Sequence, residues 1–412
     1  MPTDVPVPTD PSAPPADLAL RGTAVLEQGL VPDALVLCAG ERILWAGPAE
    51  HAPAELLPGG DRVLEHDGLI LPGLVDLHCH GGGGASFPDS EDAEEMLEAV
   101  LEHRRHGTTS LVASLVTADA ATLREKVAQL ARLHRDGEIA AIHLEGPFLS
   151  EARRGAQNPA HLTDGDPALV RELAEIAGGA LATMTIAPEA AGADEVIDAL
   201  AGSGAVPSLG HTDGGSAEMT RAVDRSLAAL RHHRGRSPLP TATHLFNGMR
   251  PIHHRDPGPA LAALDAASRG EIMVEVIADG VHLDARTVAH VFSIAAEDHV
   301  VLVTDAMAAA GMADGRYRLG ELDVTVEGGV ATLTEGGAIA GGTAHLVDVL
   351  RHAVLEAGVD LVAAVRAAST VPARVLGGED HIGALAAGRR ADVLMVDRAL
   401  RPVTVLRGGR EV

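Results

Sequence analysis

His78-Cys79-His80 closes an apolar run, Leu69-Ile-Leu-Pro-Gly-Leu-Val-Asp-Leu77. Successive residues of a strand point to opposite faces, so histidines at i and i+2 project the same way. At a strand end two such imidazoles can grip one metal ion, and zinc and iron both accept imidazole ligands. The tripeptide alone is permissive, since two histidines in a polar loop look the same. The pattern recurs, however. Glu145 follows Ala140-Ala-Ile-His-Leu144, His211 ends Val206-Pro-Ser-Leu-Gly-His211, and His244 follows Thr241-Ala-Thr243. A carboxylate at the end of a buried strand needs a partner against desolvation, which a metal or an arginine supplies. His143 shares the face of Glu145 one layer deeper, a place for a supporting or a core residue. Asp305, in Leu302-Val-Thr-Asp-Ala306, has the chemistry of a general base beside a metal, or of a helix N-cap.

These residues need elements that bring them together. Short apolar runs at Leu71–Leu77, Thr109–Ser114, Ala140–Leu144, Ala182–Ile186, Ala205–Leu209, Thr241–Thr243, Ile272–Ile277 and Val300–Val303 alternate with helical stretches such as Asp92–His106 and Ala121–Arg135. Alternation of this kind predicts parallel βαβ units, and eight of them predict an α/β fold with a (β/α)8 TIM-like barrel. In such a barrel the C-terminal strand ends share one face. His78/His80, Ser114, Glu145, Glu189, His211, His244, Asp279/His282 and Asp305 all fall at such ends. Before the barrel, Ala34–Cys38 and Arg42–Ala46 read as antiparallel strands; after it, so do Ala391–Val396 and Pro402–Leu406. The expectation is a small β-sandwich domain built from both chain ends, 19–68 and 383–412, around a catalytic barrel at 69–382. Tyr317–Val324 and Val330–Leu333 read as hairpin strands, Thr343–Ala357 and Leu361–Ala367 as helices.

The chain has 412 residues, 46% of them hydrophobic, and no run pure enough to span a bilayer. A formal charge of −26 argues against nucleic acid or an anionic membrane as partner. Lys126 is the only lysine, and it lies in an expected surface helix. Cys38 and Cys79 offer no disulfide framework, which fits a reducing, cytoplasmic setting. The opening segment, 1–18, is rich in Pro, Asp and Thr, lacks the basic and apolar regions of a signal peptide, and reads as a disordered tail.

Taken together, Pro72-Gly-Leu-Val-Asp-Leu-His-Cys-His-Gly81, His143-Leu-Glu-Gly-Pro-Phe-Leu149, Leu209-Gly-His-Thr212, Thr243-His-Leu-Phe-Asn-Gly-Met249, Ile277-Ala-Asp-Gly-Val-His282 and Val303-Thr-Asp-Ala306 resemble the amidohydrolase superfamily. The Glu-Gly-Pro and His-Leu-Phe-Asn-Gly-Met blocks resemble, more narrowly, its N-acetylglucosamine-6-phosphate deacetylase family. The resemblance implies hydrolysis of the acetamido group of a phosphorylated N-acetylated amino sugar, using one or two divalent metal ions, zinc or iron. It implies Glu145, His211 and His244 as ligands of one ion. His78 and His80 would hold a second, with Glu145 bridging and Asp305 close by. Asp305 would be the proton shuttle, and His282 would orient the acetamide carbonyl. Gly146, Gln157, Asn247 and Gly248 would contact substrate, and Arg255 would reach the phosphate in the neighbouring subunit of a homodimer. Gln157 departs from the pattern, because many relatives carry a substrate-contacting histidine there. Rival amidohydrolases that bridge their metals with a carboxylated lysine are disfavoured, because Lys126 is not on a strand. A deacetylase for the galactosamine isomer, an enzyme for another amide, and a non-catalytic scaffold are the other readings.

Overall fold

The computed structural model describes residues 15–59 and 62–412. Most of the expected tail thus lies outside the described residues, but Ala16 is buried and its N–H donates to Leu56 O at 3.0 Å. The chain forms two units, one holding the residues up to Pro72 with Ala384–Val412, the other Gly73–Gly383.

The first unit contains β1 (Leu18–Leu26), β2 (Gly29–Ala39), β3 (Arg42–Pro48) and β4 (Val63–Pro72) with the C-terminal strands Val393–Val396, Pro402–Arg407 and Arg410–Glu411. They make one seven-stranded sheet, antiparallel except where β1 runs parallel to β4. The sheet curls until β3 meets the chain just before Val393, with Ile43 N–H donating to Arg389 O at 2.9 Å and Ala391 N–H to Glu41 O at 2.8 Å. Leu20, Val36, Ile43, Ile70, Val393 and Leu406 fill its inside. The two layers of the expected sandwich are therefore halves of one sheet. The apolar run 69–77 is also divided: Leu69–Pro72 pairs with Val393–Val396, and the barrel opens only after Gly73.

The second unit carries eight parallel strands, each beside the next: β5 (Leu74–Cys79), β6 (Thr108–Leu115), β7 (Ala141–Glu145), β8 (Leu181–Ile186), β9 (Val206–Leu209), β10 (Thr241–Ala242), β11 (Met273–Val276) and β12 (Val300–Leu302). The seam between β12 and β5 closes at their C-terminal ends. Asp305 N–H donates to His78 O at 2.8 Å and His80 N–H to Ala306 O at 2.7 Å. Asp76 seals it from inside, accepting the Thr304 hydroxyl at 2.6 Å and the N–H groups of His78 and Thr304 at 3.2 and 3.3 Å. Helices α1 (Ala93–Arg105) and α2 (Ala120–Arg135) start at Asp92 and Asp119, whose carboxylates accept the first free N–H groups of each helix. The sole lysine, Lys126, lies on α2 and donates to Ser90 O at 2.5 Å.

The barrel fills in layers, as period-two strands dictate. Val75, Leu77, Val112, Val206 and Val301 form an apolar floor with Val371 and Val375. Above them runs a hydroxyl chain: Thr241 to Ser208 at 2.7 Å, Ser208 to Thr243 at 2.6 Å, Thr243 to Thr185 at 2.9 Å. His143 continues it, with Nε2 on Thr185 Oγ1 at 2.9 Å and Nδ1 on Ser114 Oγ at 3.0 Å. The metal-ligand candidates sit one step further on. Beyond the barrel strands, the expected hairpin strand Tyr317–Val324 is broken by a turn at Gly320-Glu321. Three strands result, Gly315–Leu319, Leu322–Glu327 and Val330–Leu333.

Candidate active site

Imidazole and carboxylate atoms crowd together at the C-terminal ends of β5, β7, β9, β10 and β12. His211 Nε2 and His244 Nε2 lie 2.8 and 2.9 Å from Glu145 Oε1 and 3.1 Å from each other. On the other side of the same carboxylate, His80 Nε2 lies 3.2 Å from Glu145 Oε2 and 3.0 Å from His78 Nε2. Asp305 Oδ1 is 3.3 Å from both His78 Nε2 and His80 Nε2. All six side chains are buried.

The opposite ring nitrogens show what these atoms want. Nδ1 of His80 contacts Ser114 O at 3.2 Å and Nδ1 of His211 contacts Arg153 O at 2.8 Å. A carbonyl only accepts, so both Nδ1 atoms carry a proton, and each Nε2 is the nitrogen left to face a cation when the ring is neutral. His78 Nδ1 likewise faces Glu275 Oε2 at 3.4 Å. Imidazole nitrogens and carboxylate oxygens gathered this closely suit a cation between them. Ligands held tetrahedrally at roughly 2.1 Å from an ion stand about 3.4 Å apart, close to the spacing found here. The residues fit a divalent metal, in two sets sharing Glu145: His78, His80 and Glu145, and Glu145, His211 and His244.

Electrostatics point the same way. Burial opposes charging His80, but the Asp305 and Glu145 carboxylates outweigh it and raise its pKa to about 10. His211 is raised for the same reason, burial being outweighed mainly by Glu145. Burial would lift Glu145, yet His211 and His78 hold it well below the usual carboxylate range. Asp305 is held low against burial by His78 and His80. His143 is pushed far down by burial and then by His78, and so stays neutral beneath the ligands.

Backbone strain aims the ligands. His211, His244 and Asp305 have φ of +47°, +25° and +48°, a region that non-glycine residues enter at a cost of about 1–3 kcal/mol each. These residues leave the strand direction at once and turn their side chains over the barrel mouth. Gly248 is needed for the same end: a Cβ there would come within 2.9 Å of His211 Nδ1 and 3.2 Å of Arg153 O, at a φ of +57°.

A cavity of about 260 Å³ opens on this cluster. Of the expected site residues it is lined by His80, Glu145, Gln157, His211, His244, Asn247, Gly248, His282 and Asp305. His282 is held by Asp279, whose Oδ2 accepts its Nδ1–H at 2.7 Å, leaving Nε2 for the cavity. Burial disfavours the imidazolium, but Asp279 outweighs it and raises the pKa. His78 is wholly buried beneath the lining. Arg255 lies apart, in the exposed segment 251–256, with Nη1 2.8 Å from His254 Nε2.

Two of the expected substrate contacts already have partners within the protein. The Gly146 N–H donates to Thr185 O at 3.3 Å, and the residue is not in the lining. Gln157 lines the cavity but part of its amide is engaged within the protein: Oε1 accepts Thr117 N–H at 2.7 Å and Nε2 donates to Glu145 Oε2 at 2.6 Å. Glu189, at the end of β8, stays out of the cluster and ties the loop after His211 through Thr212 and Asp213. Asp76, Glu275 and the carbonyl of Arg153 were missed. For the first two the signal was a carboxylate inside an apolar strand, Leu74-Val-Asp-Leu77 and Met273-Val-Glu-Val276. The Arg153 carbonyl carries no signal.

A parallel eightfold barrel with paired histidine–carboxylate sets at its C-terminal mouth is the architecture of metal-dependent hydrolases. Residues 69–412 match the amidohydrolase family, and the chain belongs to it. Among its relatives is N-acetylglucosamine-6-phosphate deacetylase of Bacillus subtilis, 32% identical over 353 residues, which cover 83% of this chain and 84% of that protein. N-acetylgalactosamine-6-phosphate deacetylase of Escherichia coli O157:H7 is 33% identical over 344 residues, 82% and 86% of the two chains. Among solved structures, a Mycobacterium smegmatis N-acetyl-D-glucosamine-6-phosphate deacetylase variant in complex with N-acetyl-D-glucosamine-6-phosphate superposes with a TM-score of 0.87 at 39% identity, covering 96% of this chain and 99% of that one. The family resemblance read from the motifs is thereby confirmed.

Proposed function

We propose that the protein is a metal-dependent amide hydrolase that converts N-acetylglucosamine 6-phosphate to glucosamine 6-phosphate and acetate, in amino-sugar catabolism and cell-wall recycling. The observation that carries this reading is Glu145 shared between two histidine sets, with Asp305 3.3 Å from His78 and His80 at a cavity that His282 also lines.

Glu145, His211 and His244 would hold one divalent cation, and His78 and His80 with Glu145 a second; zinc or iron suits such donors. Bound there, the cation polarises the amide carbonyl and acidifies the attacking water. Asp305 takes a proton from that water as its oxygen joins the acetyl carbon. It then delivers the proton to the nitrogen as the C–N bond breaks, which an amine leaving group requires. His282, oriented by Asp279, presents Nε2 to the carbonyl oxygen as negative charge grows on it.

Asn247 and Gly248 contact the sugar phosphate from the cavity wall. Among the described residues no lysine or arginine lines that cavity, so the dianionic phosphate needs a cation from elsewhere. Arg255, exposed and outside its own cavity, supplies it across a homodimer. A cytoplasmic setting is supported by two free, buried thiols and by a phosphorylated substrate. No helix among the described residues is long and apolar enough to cross a membrane.

The 33% identity to the E. coli galactosamine enzyme favours one second reading, the epimeric substrate. Acetate release measured on both sugar phosphates decides. The expected result is a higher kcat/KM for the gluco epimer, with activity lost on chelation and regained with zinc or iron. Preference for the galacto epimer installs the second reading, and chelator-insensitive release overturns the mechanism.

A further inference from the structure

The loop 153–157 supports two members of one ligand set. Arg153 O takes the Nδ1–H of His211 at 2.8 Å, and four residues later Gln157 holds Glu145. The amide orientation of Gln157 is determined, because Thr117 N–H can only donate, so Oε1 faces it at 2.7 Å and the NH2 group must face Glu145 Oε2 at 2.6 Å. Only 3% of the residue is exposed, and its own N–H is tied to Arg154 O at 3.0 Å. The other side chains at the Glu145 carboxylate are ligand candidates themselves, His211 and His244 at Oε1 and His80 at Oε2. Among the described hydrogen bonds, Gln157 is the donor from outside the ligand sets to the Glu145 side chain.

We propose that Gln157 is a positioning residue for the metal centre: its amide fixes the rotation of Glu145 so that Oε1 is committed to His211 and His244 and Oε2 to His80. In this chain the amide acts on the shared ligand. A neutral donor suits that task, because it orients the carboxylate without cancelling the charge that attracts the cation. The proposal rests on the metal-dependent reading of the site and is independent of which sugar is the substrate.

The test is zinc affinity of the full-length protein, measured by competition with a chromogenic chelator. Gln157→Met keeps length and packing but removes the donor. Supporting groups around metal ligands are typically worth about 10–100-fold in affinity, and that loss is expected here, with the KM for the sugar phosphate at saturating zinc within about twofold of wild type. Gln157→His, whose ring N–H can again donate to Glu145, is expected to recover most of the affinity. The melting temperature of the zinc-free variants separates positioning from folding. Unchanged zinc affinity in Gln157→Met, with a raised KM, makes the residue a substrate contact and overturns the proposal. A lowered zinc-free melting temperature with unchanged affinity overturns it as well. If wild-type protein itself binds no zinc or other divalent cation, the metal-dependent reading falls and this proposal with it.

Discussion

At the scale of single residues, the proposed mechanism gives Asp305 the proton transfers and His282 the carbonyl oxygen. Asp305 lies on the ligand cluster, and His78 and His80 hold it ionised although it is buried. Asp305→Asn keeps volume and can still accept one hydrogen bond, so fold and substrate binding are expected to survive. Turnover is expected to fall by about 10²–10⁴ or more, because the amide neither takes the water proton nor returns it. A kcat above about a tenth of wild type would assign the shuttle elsewhere, with His282 next in line. His282 depends on Asp279, which takes its Nδ1–H and both neighbouring N–H groups, of Val281 and His282. Asp279→Asn removes the anion that raises the His282 pKa. The imidazolium is then less stable, so the limb of the pH–rate profile belonging to His282 is expected to move to lower pH. Its kcat should drop about tenfold to a hundredfold with KM little changed. A profile superimposable on wild type would remove Asp279 from the mechanism.

At the scale of elements, the barrel seam is where positioning is concentrated. β5 carries His78 and leads into His80, and the chain leaving β12 carries Asp305. What fastens these two is Asp76, with three hydrogen bonds in a fully buried place. Asp76→Ala strips the acceptor from two backbone N–H groups and a hydroxyl. A buried donor left unsatisfied costs about 1–3 kcal/mol, so a stability loss of roughly 3 kcal/mol is expected. It is read as a lower denaturant midpoint at unchanged m-value in chelator-treated protein, which keeps metal affinity out of the measurement. A midpoint equal to wild type would mean that the backbone bonds of the seam suffice.

At the scale of the whole molecule, two predictions concern what the chain must recruit. A bound metal stabilises the folded state by mass action, about 2.7 kcal/mol at a hundredfold excess over its Kd. Exhaustive chelation is therefore expected to lower the melting temperature, and added zinc to restore it; equal melting with and without metal would place the ion outside the folded core. The second concerns Arg255. If it serves the neighbouring subunit, Arg255→Ala raises the KM for the phosphorylated sugar. Mixing it with Asp305→Asn should then rebuild one intact site in every hybrid dimer, recovering roughly a quarter of wild-type sites after random re-assortment. No recovery in hybrids shown to form would return Arg255 to its own subunit's surface.

The sequence by itself determined the candidate ligands and the barrel, because both follow from local rules. Side-chain alternation puts His78 with His80 and His143 with Glu145, and an apolar run followed by a polar residue marks each strand end. Those signals span a handful of residues, so no packing is needed to read them. Tertiary structure alone decided how the ligands are held. Asp76 finds Thr304 across 228 residues, and Glu275 finds His78 across 197. Such pairs exist only once the barrel closes, and a carboxylate within a strand does not name its partner. The same holds at short range. Gln157 is 12 residues from Glu145, yet whether its amide meets substrate or ligand depends on the Thr117 N–H that a neighbouring strand's loop presents. Gly146 was expected to contact substrate, and β8 takes its N–H through Thr185 O. Local pattern names the groups that can do chemistry, and closure of the barrel, which brings their distant partners to them, decides which of them stay free to do it.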